Sequence, residues 1–105
     1  MGDRRRGQRA APGTAGPEVT YTVIWQAVQL DRLAELYVAS DLATQQRMAE
    51  GVEAFSARLA DDPLQVGESR SDGFRVAFPP LLTVSFHVDQ VRRRVRITRV
   101  TRYGS

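Results

Sequence analysis

Hydrophobic and polar positions change period twice along this chain. Val19–Trp25 (VTYTVIW) is dense in β-branched and aromatic residues and predicts a strand. From Ala27 the period lengthens. Ala27, Leu30, Ala34 and Tyr37 fall at i, i+3, i+7 and i+10, the spacing of one helix face, and this helix should end near Ala39. Asp41 suits the N-cap of a second helix, in which Met48, Val52, Phe55 and Leu59 form the apolar stripe. Gly51 interrupts that helix and offers a place for the two helices to approach closely. Asp61-Asp62-Pro63 ends it, because proline cannot continue a helix and restricts the residue before it. Two helices joined by a short loop make an antiparallel hairpin.

Beyond Pro63 the period falls to two. Glu68–Ser71 predicts a short edge strand, and Asp72-Gly73 a turn. Phe74, Val76 and Phe78 alternate with Arg75 and Ala77, and Pro79-Pro80 closes that strand. Leu82, Val84, Phe86 and Val88 alternate with Thr83, Ser85, His87 and Asp89, the pattern of a half-buried strand. Val95 and Ile97 alternate with Arg94 and Arg96, but the next apolar residue, Val100, comes three positions on, so a β-bulge near Thr98-Arg99 is needed to restore the phase. Parity then sends Phe74, Val76, Leu82, Val84, Phe86, Val88, Val95 and Ile97 toward the helices. Arg75, Thr83, Ser85, His87, Arg94 and Arg96 go to an open face. The predicted class is α+β in two layers: a helical hairpin on one face of a four- to five-stranded, mainly antiparallel sheet.

Residues 1–18 (MGDRRRGQRAAPGTAGPE) carry no apolar period and are predicted to be a disordered basic tail, leaving 19–105 as one domain. The chain has no cysteine, which excludes disulfides and cysteine metal sites, and no metal-ligand cluster or cofactor motif is visible. No apolar run is long enough to span a membrane, so a cytoplasmic protein is expected. All 15 basic residues are arginine, a usage common in GC-rich genomes. Any step that requires a lysine is therefore ruled out, and arginine is a poor general base because it stays protonated.

Net charge is +3, unevenly spread. Residues 19–62 hold three arginines against seven acids, whereas 63–105 hold eight arginines against Glu68, Asp72 and Asp89. The helical part is thus acidic and the strand part basic. A sheet face of cationic and hydroxylic side chains suits a polyanion or an acidic partner, although a solvated surface would read the same way.

The order YTVIW, LAELY, VEAFSARLADDP, VGESRSDGFRVAF, a proline turn, LLTVSFHV and RRVRITRVTRY resembles the RelE/ParE superfamily of toxin–antitoxin toxins, sometimes labelled plasmid-stabilisation proteins. The match runs from about Val19 to Tyr103. Its main elements are Leu59, Asp62, Pro63 and Gly67, the arginine opening the next strand (Arg75), and a basic last strand. The resemblance implies a sheet ordered first, last, fourth, third, second, with both helices on one face, and a cognate antitoxin as partner. It leaves the target divided between the ribosome with its mRNA, cut without a metal by some members, and DNA gyrase, inhibited by others without nuclease activity. Many relatives have no assigned activity. The leading expectation is a type II toxin that inhibits translation, with a gyrase inhibitor and an inactive relative that keeps only the interaction fold as alternatives.

Metal-free RNA cleavage needs a base for the 2′-hydroxyl, a cation for the phosphate and an acid for the leaving oxygen. The resemblance offers Arg75 and Arg102 as phosphate binders; parity puts His87, the single histidine, on the open face as a candidate proton carrier, although a lone strand histidine is more often a surface residue. Arg70, Arg94, Arg96 and Arg99 are the accompanying RNA-binding candidates. Glu68 fits a base, but pairing with Arg70 or Arg75 is the preferred reading. Two departures weigh against catalysis: the lysines used by some of those nucleases are absent, and the sequence given stops at Ser105, short of the C-terminal segment that bears their tyrosine.

Overall fold

The computed structural model describes residues 20–103. The predicted tail lies outside them. Strand β1 (Thr22–Trp25) leads into helix α1 (Ala27–Val38) and helix α2 (Leu42–Asp61). Strands β2 (Glu68–Ser69), β3 (Phe74–Ala77), β4 (Leu82–Asp89) and β5 (Arg94–Arg102) follow. The five strands form one sheet in the order β1-β5-β4-β3-β2, with β1 parallel to β5 and the other pairs antiparallel. This is the order and class expected from the sequence.

Local chemistry accounts for the boundaries. Asp41 accepts the Thr44 backbone N–H at 2.8 Å and so caps α2. At the other end α2 stops at Asp61, and Pro63 opens a single 3-10 turn, Pro63–Gln65. The α2 stripe lies where its spacing puts it: Met48, Phe55 and Leu59 are buried and Val52 packs beside them. Against it lie Leu82, Val84, Phe86 and Val88 of β4 and Val95, Ile97 and Val100 of β5. Phe55 meets Phe86 edge to face, with ring centroids 5.9 Å apart.

The expected bulge is present. The β4–β5 register jumps between Ser85, opposite Arg99, and Phe86, opposite Ile97, so Thr98 is the extra residue. Its open backbone is tied from both sides. The Thr98 hydroxyl donates to the Ser85 carbonyl at 3.1 Å. Gln29 of α1 donates from Nε2 to the Thr98 carbonyl at 2.9 Å and accepts the Val100 N–H at Oε1 at 3.1 Å. Strand β1 pairs β5 only as far as Ile97. Beyond that point α1, through Gln29, covers the edge that β1 leaves bare.

Three sequence expectations need correction. On β3 the faces are reversed: Phe74 stands opposite His87 and Val76 opposite Ser85, so both lie on the open face, while Arg75 and Ala77 stand opposite Phe86 and Val84 on the helix side. Pairing with β4 and the bonds of the inward Arg75 to the Val66 and Gly67 carbonyls hold β3 in this register. Gly67, at φ +70°, lies against the inward Ala77: a Cβ added to it would meet the Ala77 Cβ at 2.8 Å and the Val76 carbonyl oxygen at 2.2 Å. On α1 the residues that reach the core are Leu33 and Leu36, whereas Leu30 and Tyr37 of the predicted stripe remain 49% and 39% exposed. Gly51 admits the Pro80 ring, 2.9 Å from where its Cβ would be, and not the other helix.

Candidate functional site

Strand register sets the open face out in rows. Ile24 of β1, Arg96 of β5, His87 of β4 and Phe74 of β3 stand side by side across four strands. One row beyond are Thr22, Arg94 and Asp89. On the other side are Arg99, Ser85, Val76 and Glu68. Three arginines, Arg94, Arg96 and Arg99, therefore form a column along β5 on one face. The bulge makes the third possible: in a regular strand Thr98 would take that face and Arg99 would point to the core.

A hollow of about 230 Å3 opens where the column meets the β4–β5 turn, lined by Ile24, His87, Asp89, Arg92, Arg94 and Arg96. Asp89, the one carboxylate in that lining, is engaged with Arg92. It accepts the Arg92 backbone N–H at 3.0 Å and its guanidinium at 3.2 Å. Those bonds, the backbone one first, hold the Asp89 carboxyl below its ordinary range. Among the described residues, Arg94, Arg96 and Arg99 have no carboxylate within ion-pair distance. The His87 ring is flanked by Phe74, edge to face with centroids 4.8 Å apart, and Gly73 lies so near that an added Cβ would stand 3.0 Å from Nε2.

The three residues named for catalysis are not brought together. His87 lies on the open face. Arg75 points the other way: its Nε donates to the Val66 carbonyl at 2.9 Å and an Nη to the Gly67 carbonyl at 3.1 Å, which fastens the segment entering β2. Arg102 stands opposite Leu82, on the helix-side parity, six residues along β5 from the Arg96 that faces His87. One of the six is the bulge residue, so at about 3.3 Å per ladder step Arg102 is roughly 17 Å away. Arg70 leaves the column too: it pairs with Glu68 at 3.3 Å and donates to the Ser69 carbonyl. Both partners are more than half exposed, so the pair contributes little stability. Arg94, Arg96 and Arg99 do share one surface, as parity and the bulge imply. Phe74 beside His87 was hidden by the reversed face of β3.

The opposite side of the molecule carries a second concavity. Leu30, Ala34, Tyr37 and Val38 of α1 face Met48 and Val52 of α2 across a groove of about 350 Å3. No side chain of α1 is fully buried, and Val28 and Val38 are 72% and 78% exposed. Among the described residues there is no cluster of three or more histidines, cysteines or carboxylates spaced to hold a metal ion, and no helix is long and apolar enough to cross a membrane.

No protein-family model matches the sequence, and no curated protein matches it. Solved structures do match. The chain superposes on one from the RelBE2 toxin–antitoxin complex of Mycobacterium tuberculosis with a TM-score of 0.64 at 23% identity, covering 85% of this chain and 98% of that one. The RelE–RelB complex of the archaeon Pyrococcus horikoshii gives 0.53 at 15% identity, covering 81% and 97%. The chromosomal ParDE system of P. aeruginosa gives 0.55 at 19% identity, covering 80% and 97%. The chain therefore shares its fold with chains of these RelBE, RelE–RelB and ParDE complexes, and the match spans nearly the whole of each.

Proposed function

We propose that this protein is the toxin of a type II toxin–antitoxin pair and that it inhibits translation in the cytoplasm. The observation that carries the reading is the fold shared with chains from RelBE and ParDE complexes, matched over almost their full length. The division of the surface supports it. The open sheet face offers an arginine column suited to the phosphates of RNA. The groove between α1 and α2 is apolar and suits an amphipathic antitoxin segment. Inducible expression in bacteria should arrest growth and protein synthesis. Leu30→Glu, placed in the groove, should leave the arrest intact but abolish rescue by a co-expressed cognate antitoxin. Unchanged growth and unchanged translation would reject the reading.

A second reading is favoured by the scattering of Arg75, Arg102 and His87, which, among the described residues, do not come together as an acid, base and phosphate clamp for cutting RNA. The protein then acts by binding alone, on the ribosome or on DNA gyrase. Transcript mapping and plasmid topology in the same induced cells separate the outcomes. Cleaved mRNA supports an endonuclease, slowed translation with intact mRNA supports a binder of the ribosome, and loss of negative supercoiling supports gyrase.

A further inference from the structure

We infer that Gln29 is a positioning residue that couples the groove between α1 and α2 to the bulge that aims Arg99, so that a partner seated in the groove steadies the open sheet face across the core. The inference rests on the proposed function in taking the groove as the antitoxin's seat and the open face as the target's. Three observations lead to it.

The first is how the bulge is held. Beyond Ile97, strand β5 has no β1 beside it. There the Thr98 carbonyl accepts from Gln29 Nε2 at 2.9 Å, and the Val100 N–H donates to Gln29 Oε1 at 3.1 Å. One side-chain amide thus does for two backbone groups what a neighbouring strand would do. Those two groups flank Arg99, which reaches the open face because Thr98 is bulged. Without Gln29 the bulge keeps the Thr98 hydroxyl bond to the Ser85 carbonyl but loses its hold on either side of Arg99.

The second is that α1 is weakly held. A helix of 12 residues is marginal in water by itself. Its N-cap, Gln26, makes no side-chain capping bond, its first turn holds no acid, its last turn holds no base, and none of its side chains is fully buried. Leu33 and Leu36 fix it to the core as partly buried residues. An element with so little buried apolar contact opens locally at small free-energy cost. Each opening takes Gln29 away from the bulge.

The third is where α1 is fastened. Gln45 of α2 donates from Nε2 to the Tyr37 carbonyl at 2.9 Å, which ties the far end of α1 to the other helix. About 12 Å back along α1, Gln29 ties it to β5. The groove residues Leu30, Ala34 and Tyr37 lie along this same stretch, and Met48 and Val52 of α2 face them. Whatever fills the groove touches both helices and favours the docked position of α1, in which Gln29 reaches the bulge. Binding to the docked state alone raises its population by mass action. The coupling is reciprocal, so a target that holds Arg99 in place also tightens the groove. Its sign is positive: the antitoxin segment grips a target-bound chain at least as firmly as a free one.

The test reads the Val100 amide, whose proton goes to Gln29, by hydrogen exchange in NMR spectra of the purified full chain. The chain has no cysteine, so Ala34→Cys places a unique thiol in the groove, and N-phenylmaleimide coupled to it is the groove-filling probe. Modification should slow Val100 exchange by about 10-fold, as expected for a weak ligand at the effective concentration of a short tether. Gln45→Met frees the other end of α1 and should speed Val100 exchange by about 3- to 10-fold. Both effects should vanish when Gln29→Met, which keeps the length of the side chain and removes its amide, is added. Gln29→Glu keeps the acceptor for Val100 and loses the donor to Thr98, so its response should be reduced without being abolished. Amides of the β3–β4 pair should be unchanged throughout, and thermal melts check each fold. A phenyl ring that shows contacts to Met48 and Val52 yet leaves Val100 exchange unchanged overturns the coupling. So do effects of Gln45→Met that persist without the Gln29 amide. These measurements need neither target nor antitoxin. A chain that shows the coupling but arrests neither growth nor translation keeps the coupling and loses the toxin reading. A chain that arrests growth while its Val100 amide ignores the groove does the reverse.

Discussion

The guanidinium of Arg75 ties the Val66 and Gly67 carbonyls to strand β3. Its role is to hold a loop, and that role depends on the shape of the group as much as on its charge. Arg75→Lys keeps the charge but offers a single ammonium where a fork spans two acceptors. It should cost about 1–3 kcal/mol in denaturant unfolding, the range for hydrogen bonds to a charged group, and should leave the salt dependence of nucleic-acid binding near that of the wild type. A lowered salt slope with unchanged stability would return Arg75 to the binding surface. Gly67 next to it is required for its backbone. At φ +70°, with the Val76 carbonyl oxygen 2.2 Å from an added Cβ, Gly67→Ala combines left-handed strain of about 1–2 kcal/mol with a backbone clash.

Among the elements, α2 was the most legible from sequence because each of its signals is local: a capping aspartate, a stripe at helical spacing and a terminating proline. Strand β4 was equally plain, since a central strand with one open face must alternate. Strand β3 misled because Phe74 and Val76 are more apolar than Arg75 and Ala77, whereas its facing goes with its register on β4 and with the bonds of Arg75 to the Val66 and Gly67 carbonyls. The stripe on α1 was read as core although much of it lines the exposed groove. The partnership of Gln29 with the bulge joins residues about 70 positions apart, which no local pattern encodes. The cap makes a pH-dependent prediction. Bonds from the Thr44 side chain and backbone hold the Asp41 carboxyl below its ordinary value of 3.8. A carboxyl depressed in the folded state stabilises above its unfolded pKa, and that contribution is lost as pH falls through the folded value. Asp41→Ala should therefore lower the thermal midpoint at pH 7, and the gap to wild type should narrow by pH 3. A gap independent of pH would show that the charge of Asp41 adds nothing to the cap.

At the scale of the whole molecule, one core joins two layers of opposite charge. Phe86 lies at its centre, fully buried and edge to face with Phe55. Phe86→Ala should cost about 3–5 kcal/mol by chemical denaturation, and a near-neutral result would contradict the packing of β4 against α2. The sheet layer is cationic and the helix layer acidic, so the arginine column and the apolar groove lie on opposite sides of this core. A partner seated in the groove alone leaves the column uncovered. On the toxin reading proposed above, neutralisation by an antitoxin requires either that its chain continue around the sheet edge or that its bulk prevent approach to the target. A peptide confined to the groove should bind without displacing a labelled single strand from the column, which a competition titration measures directly.

Thr98 has a consequence for the length of the chain. Deleting a residue from the middle of a strand ordinarily turns everything beyond it inside out. Here the deletion would have the opposite effect. With Thr98 removed, Ile97, Arg99 and Val100 face in, out and in without interruption, and each keeps its present partner: Phe86, Ser85 and Val84. The shortened protein should fold with the same core and the same arginine column. It should be less stable by roughly 1–3 kcal/mol, because the Gln29 amide loses the carbonyl it now holds. Deleting Ile97 or Val100 instead would also absorb the bulge, but it would put Thr98 or Arg99 in the buried slot, and should cost far more stability than deleting Thr98. A strand that is one residue longer than its pairing requires can be shortened at that residue without losing either a core side chain or an arginine of the column.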